Sequence, residues 1–325
     1  MSAPLPPREQ LLVCCAHVAY RLGDRFDLRK TGIRFVEVRS PDELKARIGE
    51  ADVLVVSGLW RNELIEAAPR LRFIQSISAG VDQYSREALA ARGIRLASAQ
   101  GANERAVAEH AMSLILALTR QLHFGRDNQA RRFWRGMISD LAKREDELGG
   151  KTLLVVGLGR IGSRLATLAH AFGMRVIATK RDPATGGQAA DMVVGQDRLL
   201  EILPQADFVA LTCPLTRDTE RLIGQQALAA MKPSAFLVNV ARGRVVDEPA
   251  LIAAMGENRI AGAALDCAVD EPLPETSPLW GLSNVLITPH TAGETRRYED
   301  NVIDLLLENL DRLWRGQGEL RNQIV

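Results

Sequence analysis

Short apolar runs of four or five residues recur along the chain, separated by segments in which hydrophobic positions return every three or four residues. The first pattern reads as strands buried on both faces and the second as amphipathic helices. Their alternation predicts parallel sheets covered by helices. In the first third, runs at 11–14, 33–36, 53–56, 73–77 and 94–97 are the expected strands, with helical stretches at 42–48 and 62–68. A long helical pattern then runs from 103 to 122 through Val107, His110, Ala111, Leu114, Ile115 and Leu118. After a more polar stretch at 127–146, a second series of strands is expected at 152–156, 175–178, 208–211, 236–240, 261–266 and 285–288. The last stretch, 298–314, places Val302, Leu305, Leu306, Leu310 and Leu313 on one face of a helix.

A chain of 325 residues is long enough for two domains, each with its own core. Lys and Arg number 41 against 40 Asp and Glu, so no global field favours nucleic acid or an anionic membrane. Cys14, Cys15, Cys213 and Cys267 lack CxxC spacing, which argues against a zinc site and suits a reducing compartment. The opening segment 1–7 lacks the pattern of a signal peptide, and no apolar run reaches the length of about 20 residues that crosses a bilayer. These features predict a soluble, cytoplasmic protein that holds no metal and partners neither nucleic acid nor membrane.

Gly157-Leu158-Gly159-Arg160-Ile161-Gly162 follows the apolar run 152–156 directly and opens a helical pattern through Leu165, Leu168 and Ala169. Alone, a GxGxxG hexapeptide is weak; between a buried strand and a helix it predicts a dinucleotide site. Gly157 makes the tight turn, Gly159 leaves room for a pyrophosphate, and Gly162 lets helix and strand pack closely. Unpaired N–H groups at the helix start then face the phosphates. At the end of the next strand, where NAD enzymes of this type place an acid for the ribose hydroxyls, stand Lys180 and Arg181. Basic groups there accommodate a 2′-phosphate, which favours NADP(H) over NAD(H). The competing possibility is a solvated basic turn, with Asp182 reaching back to the ribose.

Three further segments carry candidate chemistry. Arg242 ends the strand 236–240 among small residues, where its planar fork suits a carboxylate; pairing with Asp247 or Glu248 is the alternative. Asp266 ends a strand and Glu271 follows in a Pro-rich loop, while His290 lies just behind the strand 285–288. His17, His110, His123 and His170 are read as structural. Only His290 combines a strand end with an acid in a nearby segment.

The string from Gly157 through Ala241-Arg242-Gly243, Asp270-Glu271-Pro272-Leu273-Pro274 and Thr288-Pro289-His290-Thr291-Ala292-Gly293 resembles the D-isomer-specific 2-hydroxyacid dehydrogenase family. Ser78-Ala79-Gly80-Val81-Asp82 and the 103–110 segment resemble that family's substrate loop and inter-domain helix, so the likeness covers most of the chain. The resemblance implies two Rossmann-like doubly wound α/β domains, with a coenzyme domain (103–293) inserted into a discontinuous substrate domain (1–102 plus 294–325). It implies that Arg242 binds the substrate carboxylate and carbonyl, that His290 exchanges a proton with the C2 oxygen, and that Glu271 holds the other ring nitrogen and stabilises its charged form. Backbone N–H groups around Ala79, Gly80 and Val81 would grip the carboxylate from the other domain. Cofactor contacts would come from Gly157, Gly159, Arg160, Ile161, Gly162, Lys180, Arg181, Cys213, Pro214, Val240 and Asp266, the last to the nicotinamide carboxamide.

The expected protein is thus a homodimeric NAD(P)-dependent 2-ketoacid reductase. Ser57–Trp60 would form part of its pocket wall, with Trp60 or Trp280 narrowing it for a small substrate such as glyoxylate or hydroxypyruvate, and the length leaves no room for the regulatory domain of longer phosphoglycerate dehydrogenases. Glu271 counts against formate dehydrogenase, which carries Gln there. A non-catalytic, dinucleotide-sensing scaffold resembling the corepressors of this fold is the alternative; those carry disordered tails, and this sequence ends soon after its last helix.

Overall fold

The apolar runs become strands of two all-parallel sheets, described by a computed structural model. It covers residues 5–185 and 187–325; the first four residues of the opening 1–7 segment lie outside the described residues. One unit comprises the chain up to Asn103 together with Glu294–Val325, and the other is Glu104–Gly293.

In the first unit, β1 (Leu12–Ala16), β2 (Arg34–Val38), β3 (Val53–Val56), β4 (Phe73–Ser76) and β5 (Arg95–Ala97) stand in the order β2-β1-β3-β4-β5. β1, β3 and β4 are buried throughout, which is why their sequences show no polar alternation. Val13, Cys15, Val53, Val55 and Phe73 pack on one face, while Cys14, Ala16, Leu54, Val56 and Ile74 pack on the other. The C-terminal helix Tyr298–Trp314 covers the first face, burying Val302, Leu306 and Leu310. Three shorter helices complete the unit: α1 (Leu22–Asp27), α2 (Pro41–Arg47, capped by Ser40) and α3 (Arg86–Ala91). The expected helix at 62–68 is only a 3-10 turn, Asn62–Ile65. Asn62 Oδ1 is committed to Trp60 Nε1 at 3.1 Å and Ser85 N–H at 2.9 Å, and Pro69 disfavours helix at Ala68.

The second unit begins with α4 (Glu104–Thr119) and α5 (Leu122–Ala130). The sequence predicts one helix over 103–122, but Gln121 adopts φ +50°, and the chain restarts at Leu122 as α5, which runs on into the stretch expected to be polar connection. α5 buries no residue, so it leaves no hydrophobic period to read. There follow β6 (Thr152–Val156), α6 (Arg160–Ala171), β7 (Arg175–Lys180), β8 (Met192–Gly195), α7 (Leu199–Ile202), β9 (Phe208–Leu211), α8 (Gln225–Ala230), β10 (Phe236–Asn239), α9 (Glu248–Gly256), β11 (Gly262–Leu265) and β12 (Val285–Ile287). β8 escapes the sequence pattern because it is a partly exposed edge strand of four residues. Leu154, Val156, Val209 and Leu211 enter one core, and Leu153, Val155, Phe208 and Ala210 the other, so helices cover both faces.

The order β12-β11-β10-β9-β6-β7-β8 reverses direction beside β6. Carboxyl ends of β6 and β9 therefore diverge into a crevice, the place where doubly wound sheets bind ligands.

Candidate active site

The turn from β6 into α6 is built from glycines for identifiable reasons. Gly157 adopts φ +99°, and a Cβ on it would lie 2.7 Å from the backbone of Cys213 across the crevice. A Cβ on Gly162 would meet the Gly157 carbonyl at 2.4 Å, whereas one on Gly159 would meet nothing within 4 Å. The turn is thus closed on its protein side and open over Gly159. Gly157 and Leu158 donate to the Thr179 carbonyl, and Ser163 N–H closes the first turn onto Gly159 at 2.8 Å. The N–H groups of Arg160, Ile161 and Gly162 are then the unpaired donors of a twelve-residue helix. This cradle fits a dinucleotide pyrophosphate.

Cys213 and Pro214 form the opposite lip, and burial pushes the Cys213 thiol up to about 11, so it stays neutral. Val240 follows β10 and is nearly buried. Lys180 ends β7 and donates to the Thr185 carbonyl, with Arg181 exposed beside it. Asp182, the alternative ribose ligand, accepts from Ala184 N–H at 3.1 Å within its own turn.

Farther along the same edge, Arg242 leaves β10 in an extended conformation, held by Asn239, whose side chain donates to the Arg242 carbonyl at 3.0 Å. Gly243 makes this turn fit: a Cβ there would lie 2.0 Å from the Ala268 carbonyl group. The two acids that could compete for Arg242 have other partners, Asp247 capping α9 and Glu248 accepting from Val269 N–H at 3.2 Å.

Ala268 N–H donates to Glu271 Oε1 at 3.0 Å, while Glu271 Oε2 lies 2.7 Å from His290 Nδ1. Burial opposes ionisation of Glu271, but the His290 hydrogen bond and charge, the Ala268 N–H and Arg242 together hold its carboxyl below the ordinary range. An ionised carboxylate only accepts, so Nδ1 carries the proton and Nε2 is left for a ligand. His290 sits at φ +55°, a left-handed conformation that His tolerates better than most residues and that turns the ring away from the strand line. A cavity of about 630 Å³ opens beside this pair, walled by Asp266, Leu273, Trp280 and Pro289.

We expect Glu271→Gln to lower reductive kcat by about 10²-fold, because the amide cannot balance charge on the ring as it hands over its proton. An unchanged kcat would contradict the partnership.

Sequence reasoning set His110 aside, yet it reaches Thr288 and Asp266 on this edge, at 3.0 and 3.4 Å from Nε2. Its place mid-helix gave no signal, because the contact spans 178 residues. In the other unit, Ala79, Gly80 and Val81 follow β4, and none of their N–H groups donates to another described residue. Ser57 and Ser78 hydroxyls lie 2.6 Å apart there, and Trp60 is buried. Among the described residues no group of three or more His, Cys, Asp or Glu could hold a metal, and no helix is long and apolar enough to cross a membrane.

Residues 112–292 match the family model for the D-isomer specific 2-hydroxyacid dehydrogenase, NAD binding domain. The chain is 37% identical over 289 residues to D-3-phosphoglycerate dehydrogenase of Methanocaldococcus jannaschii, covering 87% of this chain and 53% of that protein. It is 35% identical over 285 residues to glyoxylate reductase of Pyrococcus furiosus, covering 85% of this chain and 83% of that one. The chain thus spans about half the length of the phosphoglycerate dehydrogenases it matches and most of the length of the glyoxylate reductase. A crystal structure of NADPH-dependent glyoxylate/hydroxypyruvate reductase from Sinorhizobium meliloti, with NADP and malonate, superposes with a TM-score of 0.80 at 26% identity, over 97% of each chain. The chain belongs to the D-isomer specific 2-hydroxyacid dehydrogenase family.

Proposed function

We propose that this protein reduces a small 2-keto acid, glyoxylate or hydroxypyruvate, to the 2-hydroxy acid with NADPH. The observation that carries the reading is the 2.7 Å contact between Glu271 and His290 Nδ1, on the strand edge that also carries Arg242 and the glycine turn. A bound dihydronicotinamide supplies the hydride; this chain's own groups supply the rest. Arg242 holds the carboxylate and the keto oxygen, which orients C2 and stabilises the charge developing on that oxygen. His290 Nε2 gives its proton to the same oxygen, while Glu271 carries the matching negative charge and keeps the ring in one orientation.

The cofactor assignment rests on Lys180 and Arg181 standing where an acid would exclude a 2′-phosphate, and on Asp182 being engaged in its own turn. We expect kcat/KM to favour NADPH over NADH, and Arg181→Ala to shrink the ratio by about tenfold, the loss of one charge-assisted contact. A wild-type preference for NADH, or a ratio untouched by the substitution, overturns the assignment.

A homodimer is proposed from the apolar side chains displayed on α5 and the segment after it. Phe133 is 59% exposed, Trp134 96% and Met137 102%, a density of exposed apolar groups unusual for a monomer surface. Sedimentation equilibrium at micromolar concentration is expected to give twice the chain mass, and Trp134→Glu with Met137→Glu to give the monomer. A wild-type monomer would contradict it. Within the cell, the cytoplasm is the proposed location, with no nucleic acid or membrane among its partners.

A further inference from the structure

Asp266 follows β11 and is 2% exposed, and its carboxylate is held by donors from several elements. Oδ1 accepts from the Thr288 hydroxyl at 2.6 Å and from Thr291 N–H at 3.0 Å; Oδ2 accepts from Ala292 N–H at 3.0 Å. Thr288 has a single hydroxyl proton, and the carboxylate takes it. The 3.0 Å contact between His110 Nε2 and Thr288 Oγ1 must therefore run from His110 Nε2–H to the hydroxyl oxygen, which fixes the tautomer of His110. Nε2 also lies 3.4 Å from Oδ1. α4, the residue after β12 and the loop at 291–292 thus converge on one carboxylate. Burial opposes its charge, but the bonds from His110, Thr288 and Ala292 hold the carboxyl below the ordinary range. Counting acceptor positions, Oδ1 is saturated, whereas Oδ2 has one donor among the described residues and room for one more.

We propose that His110 and Thr288 are positioning residues for the cofactor, holding Asp266 ionised and oriented so that the remaining acceptor position of Oδ2 takes an amide N–H of the nicotinamide carboxamide. Neither residue touches the reacting atoms; both act through Asp266. The inference rests on the dinucleotide reading above, and it concerns only the nicotinamide end of that ligand. A purely structural cluster would join the same three elements without regard to what binds, so the two roles part company in ligand binding.

The test is calorimetric titration with paired probes: NADPH against 2′-phospho-ADP-ribose, and NADH against ADP-ribose. Each pair shares the adenosine and pyrophosphate and differs by the nicotinamide riboside end. Thr288→Val keeps the β-branched shape but removes both the donor to Asp266 and the acceptor for His110. It is expected to weaken NADPH binding by about tenfold, the scale of one hydrogen bond to a charged group, while 2′-phospho-ADP-ribose changes less than about twofold. Thr288→Ser should restore binding, and His110→Phe should weaken NADPH by several-fold with the same selectivity. Equal weakening of both members of a pair, or no weakening of either, overturns the positioning role. Wild-type protein that binds none of the four probes overturns the dinucleotide reading itself, a result separate from either outcome in the variants.

Discussion

His290→Ala is expected to lower kcat for keto-acid reduction by about 10²–10⁴-fold, the usual loss when a positioned acid/base group is removed. The ring offers Nε2 because Nδ1 is tied to Glu271 at 2.7 Å, and the left-handed backbone at φ +55° sets its direction. Alanine removes the proton donor without touching the glycine turn of α6, so dinucleotide affinity should stay within about twofold. Stopped-flow reduction at saturating NADPH measures the first quantity and calorimetry the second. A folded variant that retains activity within a few-fold would remove His290 from the mechanism. The neighbouring Cys267 does not offer a substitute donor, since burial pushes its thiol well above the ordinary range.

Arg242→Ala is expected to cost about 10²–10³ in kcat/KM, through both terms. Ground-state binding of the carboxylate weakens, raising KM; the charge developing on the keto oxygen loses its fixed partner, lowering kcat. Arg242→Lys should recover only part of this, because an ammonium cannot offer the planar two-pronged contact of a guanidinium. The turn that carries the residue has supports besides its head group, whose Nη1 donates to the Ala241 carbonyl at 2.8 Å: Asn239 holds the backbone on one side and Gly243 packs on Ala268 on the other. Dinucleotide binding and melting temperature should therefore change little. A variant that raises KM alone, with kcat untouched, would make Arg242 a pure binding group.

The fold was legible because its strands are buried on both faces and its helices on one. β6, for instance, is five apolar or small residues in a row, and the switch of period into α6 marks the turn between them. Elements without a buried stripe were not legible: α5 buries nothing, and the edge strand β8 is half exposed. At the candidate site, Arg242, Glu271 and His290 could be named because each falls at a strand end or in the loop beyond it, and the contact from Glu271 to His290 spans only 19 residues. The role of His110 was hidden for the opposite reason. It depends on α4 crossing the sheet edge 178 residues before Thr288, and on Thr288 having one proton to give. Local pattern carries neither fact.

The proposed keto-acid reduction is measured as loss of nicotinamide absorbance when purified protein is mixed with NADPH and, one at a time, a panel of 2-keto acids. Turnover of glyoxylate or hydroxypyruvate is expected with kcat/KM of about 10⁴ M⁻¹s⁻¹ or more, the lower range for efficient enzymes. Tight dinucleotide binding with no turnover of any panel member would contradict it.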